Sequence, residues 1–195
     1  MRHHNLMTRT LAVSILAIAA TLAIAAEPAT KPAAPPAVGE KARDFSLADL
    51  DGKQVTLTGL TKTGPVVLVV LRGWPGYQCP LCSTQVGQLR AKADELSKRG
   101  ARVLLVYPGP KERLDERARE FLKEDALPEG FHFVTDPDFA FVNAYGLRWD
   151  APDETAYPST FVIGKDNLVR FAKVSKTHGG RASVAEVLKA LDDAK

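Results

Sequence analysis

Cysteine is nearly absent from the sequence: the 195-residue chain has two, both in the stretch Trp74-Pro75-Gly76-Tyr77-Gln78-Cys79-Pro80-Leu81-Cys82. A scaffold stapled by several disulfides is therefore excluded. With no second CxxC, a four-cysteine zinc site is excluded as well. Histidine is scarce too. Of the four, His3 and His4 fall in the N-terminal segment, which leaves His132 and His178. Dense runs of lysine or arginine are missing and the net charge is only +3, so nucleic acid is not an expected partner. No internal repeat is visible.

What is present begins with the N-terminal segment. Residues 1–10 are basic and carry no acid, and residues 11–26 form a largely apolar run of sixteen. A spanning helix needs about 20 residues. Ala23-Ile24-Ala25 supplies small residues at the end of the run. This arrangement predicts a secretory signal peptide over residues 1–25 and an exported protein of the periplasm or cell envelope. Left uncleaved, the same segment would serve as a membrane tether. Residues 26–38 are rich in Pro and Ala and read as an extended tether. Residues 39–195 are the right length for one domain.

Within that domain strand-like and helix-like patterns alternate. VVLVVL at residues 66–71 and RVLLVY at residues 102–107 read as buried strands. Between them, residues 80–99 carry Leu81, Val86, Leu89, Ala93 and Leu96 at helical spacing, and Gly100 stops the run. Residues 111–124 predict a charged amphipathic helix. A short strand at 131–135 and a short helix at 137–145 follow. Residues 159–163 and 168–174 predict a hairpin around Gly164-Lys165-Asp166-Asn167, and residues 183–194 a last helix opened by the capping box Ser183/Glu186. The order predicts an α/β fold: a central mixed sheet with helices on both faces.

Pro80 is suited to the first position of a helix, which puts Cys79 at the N-cap and Cys82 in the first turn. Both sulfurs then sit near unpaired amides and the positive end of the helix dipole, which favours thiolate over thiol. Three readings compete for the pair. A structural disulfide across so short a loop stabilises little. A metal clip needs further ligands; copper held by Cys79, Cys82 and His178 is the version available. A redox centre needs only the two thiols. Outside the cytosol the Cys79–Cys82 pair can persist as a disulfide.

Several stretches together carry a resemblance. These are Gly39-x4-Asp44-Phe45-x-Leu47 followed by Asp51-Gly52-Lys53, the strand VVLVVLRG, and STFVIGKDN. The domain resembles the alkyl hydroperoxide reductase/thiol-specific antioxidant family, the peroxiredoxins and their thioredoxin-fold relatives. The resemblance implies a thioredoxin-like fold and a thiol-dependent oxidoreductase that reduces peroxides. It requires an external thiol reductant and implies no cofactor and no bound metal. The family pattern P-x3-[T/S]-x2-C meets Pro75 and Cys82 here, with Cys79 in place of Thr or Ser. By that match Cys82 attacks peroxide and Cys79 resolves the sulfenic acid.

The family's arginine ahead of the STFVI strand is replaced by Pro158, which resembles the cis-proline of thioredoxins. That favours a second reading, a protein disulfide reductase of the envelope, in which Cys79 attacks first. A peroxidase would need another cation, with Arg72, Arg148 and Arg181 as candidates. Trp74 and Tyr77 flank the thiols and either shield them or pack the turn. Residues 149–152 are a candidate rim. His178 lies in a glycine-bearing loop, and His132 reads as structural.

Overall fold

The computed structural model describes residue 1, residues 33–123 and residues 126–193. The expected signal peptide and the first part of the tether lie outside the described residues. Among those described, no helix is long and apolar enough to cross a membrane.

A five-stranded sheet forms the centre. Its strands are β3 (Val66–Val70), β4 (Arg102–Gly109), β5 (Phe131–Pro137), β6 (Ser159–Ile163) and β7 (Val169–Val174), in the spatial order β5-β4-β3-β6-β7. β3, β4 and β5 run parallel, and β6 and β7 pair antiparallel, so the sheet is mixed as expected. A separate antiparallel pair, β1 (Ser46–Ala48) and β2 (Gln54–Thr56), precedes it. The helices are α1 (Leu57–Thr61), α2 (Pro80–Arg90), α3 (Ala93–Lys98), α4 (Leu114–Leu122), α5 (Ala140–Ala144) and α6 (Val184–Asp192).

Every residue of β3 is sealed from solvent. Val67, Val69 and Leu71 face one core, with Val86, Leu89, Leu96, Phe121 and Val187 from α2, α3, α4 and α6. Val66, Leu68 and Val70 face the other, with Leu57, Leu60, Phe141 and Tyr145. A strand buried on both faces explains the unbroken apolar run. Each such side chain contributes about 1.5–3 kcal/mol on burial.

Three expectations need correction. The helix expected over residues 80–99 is two helices. The chain tightens at Ala91-Lys92, where the Lys92 N–H bonds the Leu89 carbonyl at 3.1 Å rather than one four residues back. No Gly or Pro marks the break, and apolar spacing continues across it. The helix expected from residue 111 begins only at Leu114, because Arg113 adopts a left-handed φ of 59°. The one expected from residue 137 begins at Ala140, because Asp138 and Phe139 do the same and β5 runs on to Pro137.

The capping box of α6 forms as expected. The Ser183 side chain accepts from the Glu186 N–H at 3.3 Å, and Glu186 accepts the Ser183 N–H at 2.8 Å. Lys173 bonds the same carboxylate and, ahead of the Ser183 bonds, holds Glu186 at a pKa of about 2. The unfolded chain has glutamate near 4.3. The contribution is therefore complete above that value and is lost as pH falls toward about 2. Ser183→Ala is expected to lower stability by about 1 kcal/mol in urea unfolding at pH 7. Glu186→Gln is expected to flatten the decline of stability between about pH 4.5 and 2.

Candidate active site

The site lies at the carboxyl end of β3, where the chain leaves the sheet. Gly73 makes the exit possible. Its φ is +70°, and a β-carbon there would collide with the Pro108 carbonyl. The Trp74 N–H bonds that carbonyl at 2.9 Å and returns the chain toward α2. Pro80 opens α2 and Cys79 is its N-cap, with φ −78° and ψ 113° and no side-chain capping bond. The Cys82 and Ser83 N–H groups bond the Cys79 carbonyl at 3.1 and 3.2 Å, which places both sulfurs on the first turn.

Both cysteines are free thiols. They are covered, with exposures of 3% for Cys79 and 1% for Cys82. Part of the cover is cationic. Arg181, in the loop between β7 and α6, brings its Nη2 to 3.3 Å from Cys82 Sγ and 3.7 Å from Cys79 Sγ. Its Nη1 donates to Gln85 Oε1 at 3.0 Å, and Gln85 Nε2 donates to Thr160 Oγ1 at 3.2 Å. Cys82 Sγ also accepts the Arg72 backbone N–H at 3.3 Å.

These groups let the pair hold one proton easily and lose the other easily. A hydrogen bond from the Cys82 thiol, above all, lowers the Cys79 pKa to about 5; burial opposes this, and the Cys82 and Leu81 N–H groups and Arg181 assist it. Cys82 is pushed up, first by sharing that bond and then by burial. The two shifts are opposite in direction, so the pair favours one thiolate beside one thiol.

The other candidate cations lie elsewhere. The Arg72 side chain is buried away from the sulfurs. It donates to Glu154 Oε2 at 2.6 Å, to Tyr77 Oη at 2.5 Å and to the Asp153 carbonyl at 2.5 Å. Arg72 thus serves the site through its backbone. Arg148 is spent on the carbonyls of Trp149, Glu154 and Thr155. Trp74 is half-buried and carries Arg117 over its ring, 4.7 Å from the centroid, so it packs the turn. Tyr77 is exposed over the Arg72 guanidinium. Pro75 is half-buried in the loop before α2.

Pro158 corrects an expectation. No peptide bond among the described residues is cis, so the bond before Pro158 is trans, unlike that of the thioredoxin proline. The Pro158 carbonyl accepts the Ser175 N–H at 2.9 Å and is already occupied within the fold. The copper reading lacks a converging third ligand, and His178 Nε2 is directed to Glu154 Oε1 at 2.7 Å. Among the described residues no three His, Cys, Asp or Glu side chains converge. Of the stretch 149–152, Trp149 stacks on Tyr157 with centroids 4.9 Å apart and meets the His178 ring at 5.3 Å.

Sequence reasoning missed Gln85 and Glu154. Gln85 had a signal, a polar residue three places after Cys82 on the apolar side of α2. Glu154 had none.

The AhpC/TSA family model matches residues 38–172. Peroxiredoxin Bcp of Escherichia coli K12 is 34% identical over 109 residues, 56% of this chain and 64% of that protein, so less than two thirds of the relative is spanned. The thiol-disulfide oxidoreductase ResA of Geobacillus thermodenitrificans is 31% identical over 135 residues, 69% of this chain and 67% of that protein. The crystal structure of peroxidoxin BcpB from Mycobacterium tuberculosis superposes with a TM-score of 0.66 at 20% identity, covering 82% of this chain and 99% of that one. The fold is thus the thioredoxin-like fold of such proteins. Arg181 and His178 lie beyond the segment that the family model matches.

Proposed function

The chain belongs to the AhpC/TSA family, and we propose that it is a thiol-dependent oxidoreductase that reduces peroxides through a Cys79/Cys82 dithiol–disulfide cycle. The observation that carries this is the Arg181 guanidinium bridging both sulfurs at the mouth of α2. It supports a thiolate before the reaction and stands where a peroxide oxygen gains negative charge as the O–O bond breaks.

The roles are assigned from position: Cys79 is the N-cap of α2 and accepts the bond of the Cys82 thiol, which stands in the first turn behind it. Cys79 carries the thiolate and attacks one peroxide oxygen. The O–O bond breaks, the leaving oxygen takes a proton and departs as water or alcohol, and Cys79 becomes a sulfenic acid. Cys82 then ionises and attacks Cys79, expelling hydroxide, which is protonated to water. Its two donors, the Arg72 N–H and Arg181, suit it to that second step. The dithiol gives up two electrons, and an external dithiol returns them by exchange. This reverses the order that the family spacing alone implies.

The reading as a protein disulfide reductase is less well supported. A protein disulfide must press a sulfur against Cys79, and at 3% exposure little surface is offered. A peroxide needs only a passage the width of a small molecule. We also propose that residues 1–25 direct export, which N-terminal sequencing of the mature protein tests, and that the tether ends before Ala34, whose carbonyl accepts Arg43 Nη2 at 2.8 Å within the domain.

Stopped-flow measurement of hydrogen peroxide and cumene hydroperoxide reacting with the reduced protein tests the assignment. The expected second-order rate exceeds that of a free thiol of matched pKa by about 10²-fold or more. A rate equal to the free thiol's would reject it.

A further inference from the structure

Arg181 follows Gly179 and Gly180 in the loop from Ser175, and Gly180 has a left-handed φ of +67°. Glycines lose the most conformational freedom on ordering, so this loop does not hold itself in place. Its ties include the Ser175 N–H on the Pro158 carbonyl, Arg181 on Gln85, the His178 ring against Trp149, and three more. Ser175 Oγ bonds the Thr177 carbonyl at 2.8 Å, but that tie is internal. Lys176 Nζ lies 4.4 Å from the centroid of the half-exposed Tyr157 ring. His178 bonds Glu154 at 2.7 Å.

The last of these ties differs in its anchorage. The Glu154 side chain is 11% exposed and paired with Arg72, whose side chain is 1% exposed at the end of β3. Burial opposes ionisation of Glu154, yet the bonds from Arg72 and His178 hold its carboxyl below the usual range. The residue that makes this tie also touches the cation directly, since the His178 carbonyl accepts Arg181 Nε at 3.1 Å. A closed circuit results: Cys82 Sγ, Arg72, Glu154, His178, Arg181, and back to Cys82 Sγ.

We infer that His178 is a positioning residue: through Glu154 it fastens the loop of residues 175–181 to the end of β3 and so holds the Arg181 guanidinium against Cys79 and Cys82. The ring needs only to donate one hydrogen bond to do this. Gln85 fixes the other edge of the same guanidinium, which leaves His178 to set the position of the loop that delivers it. The inference deepens the thiol chemistry proposed above, but its test uses no peroxide and stands apart from that reading.

The test is the pH dependence of iodoacetamide alkylation of the reduced full-length protein, followed by mass spectrometry. In the wild type the rate is expected to rise through about pH 5. His178→Ala is expected to move that midpoint up by about one pH unit, so that alkylation near the wild-type midpoint slows several-fold. His178 is largely exposed, so thermal unfolding is expected to move by no more than a few degrees. His178→Gln keeps a donor that reaches Glu154 and is expected to restore most of the wild-type profile. A His178→Ala profile that superimposes on the wild type overturns the inference. So does a His178→Gln profile displaced as far as that of His178→Ala. Failure of the protein to consume peroxide would leave this result untouched.

Discussion

Cys79→Ser is expected to lower the second-order rate of peroxide consumption by about 10³-fold or more, because a serine hydroxyl at this site has neither the charge nor the nucleophilicity of the thiolate. Cys82→Ser is expected to do something different. It keeps the attacking sulfur and removes the resolving one. The variant reacts once, with a rate within about tenfold of wild type, and then stops. Cys82 also donates the hydrogen bond that most lowers the Cys79 pKa, so part of that loss is a raised pKa. Serine can donate a similar bond, which is why serine and not alanine is the informative replacement. Trapping with dimedone should find the sulfenic acid on Cys79 in this variant. The reverse result, consumption by Cys79→Ser and none by Cys82→Ser, would restore the order implied by the family spacing.

Arg181→Met is expected to cost about 10²–10³-fold in the same rate. The guanidinium touches both sulfurs, so its removal acts twice. Before the reaction it shifts the thiolate to higher pH. During the reaction it withdraws positive charge from the breaking O–O bond. These separate experimentally. At a pH where the thiol is fully ionised the first loss vanishes and the second remains. Arg181→Lys should recover only part of the rate. A single ammonium cannot donate at once to Gln85, to the His178 carbonyl and to the sulfurs. If Arg181→Met matched the wild type at high pH, the guanidinium would serve ionisation alone.

The outline of the fold was legible because its signals are local. VVLVVL and RVLLVY announce buried strands, Pro80 announces a helix start, and Ser183 with Glu186 announces another. What stayed hidden had no local signal. The β1–β2 pair is built from three-residue strands, too short for alternation to register. The late helix starts depend on left-handed residues such as Arg113 and Phe139, which are not residue types that demand that conformation. The thiols and their helix could be placed from the sequence, but their cation could not. Arg181 lies 99 positions from Cys82 and competes with two other arginines that look equally suitable. Only tertiary placement shows that Arg72 faces Glu154 and that Arg148 is occupied by carbonyls. Glu154 gains its role wholly from what folds around it.

The two sulfurs share one helical turn, and this bears on how the protein meets an excess of oxidant. Where a resolving thiol sits far away, backbone must unravel before the sulfur–sulfur bond closes, and a second oxidant molecule can arrive during the wait. Here the partner already touches the reacting sulfur. In the cycle proposed above, the intermediate would be consumed by a neighbour on the same turn of α2. Sulfinic acid, the irreversible product, then has little precursor from which to form. A surge of oxidant should drive such a protein into its closed, recoverable form, and its throughput should be capped by the supply of electrons rather than by damage.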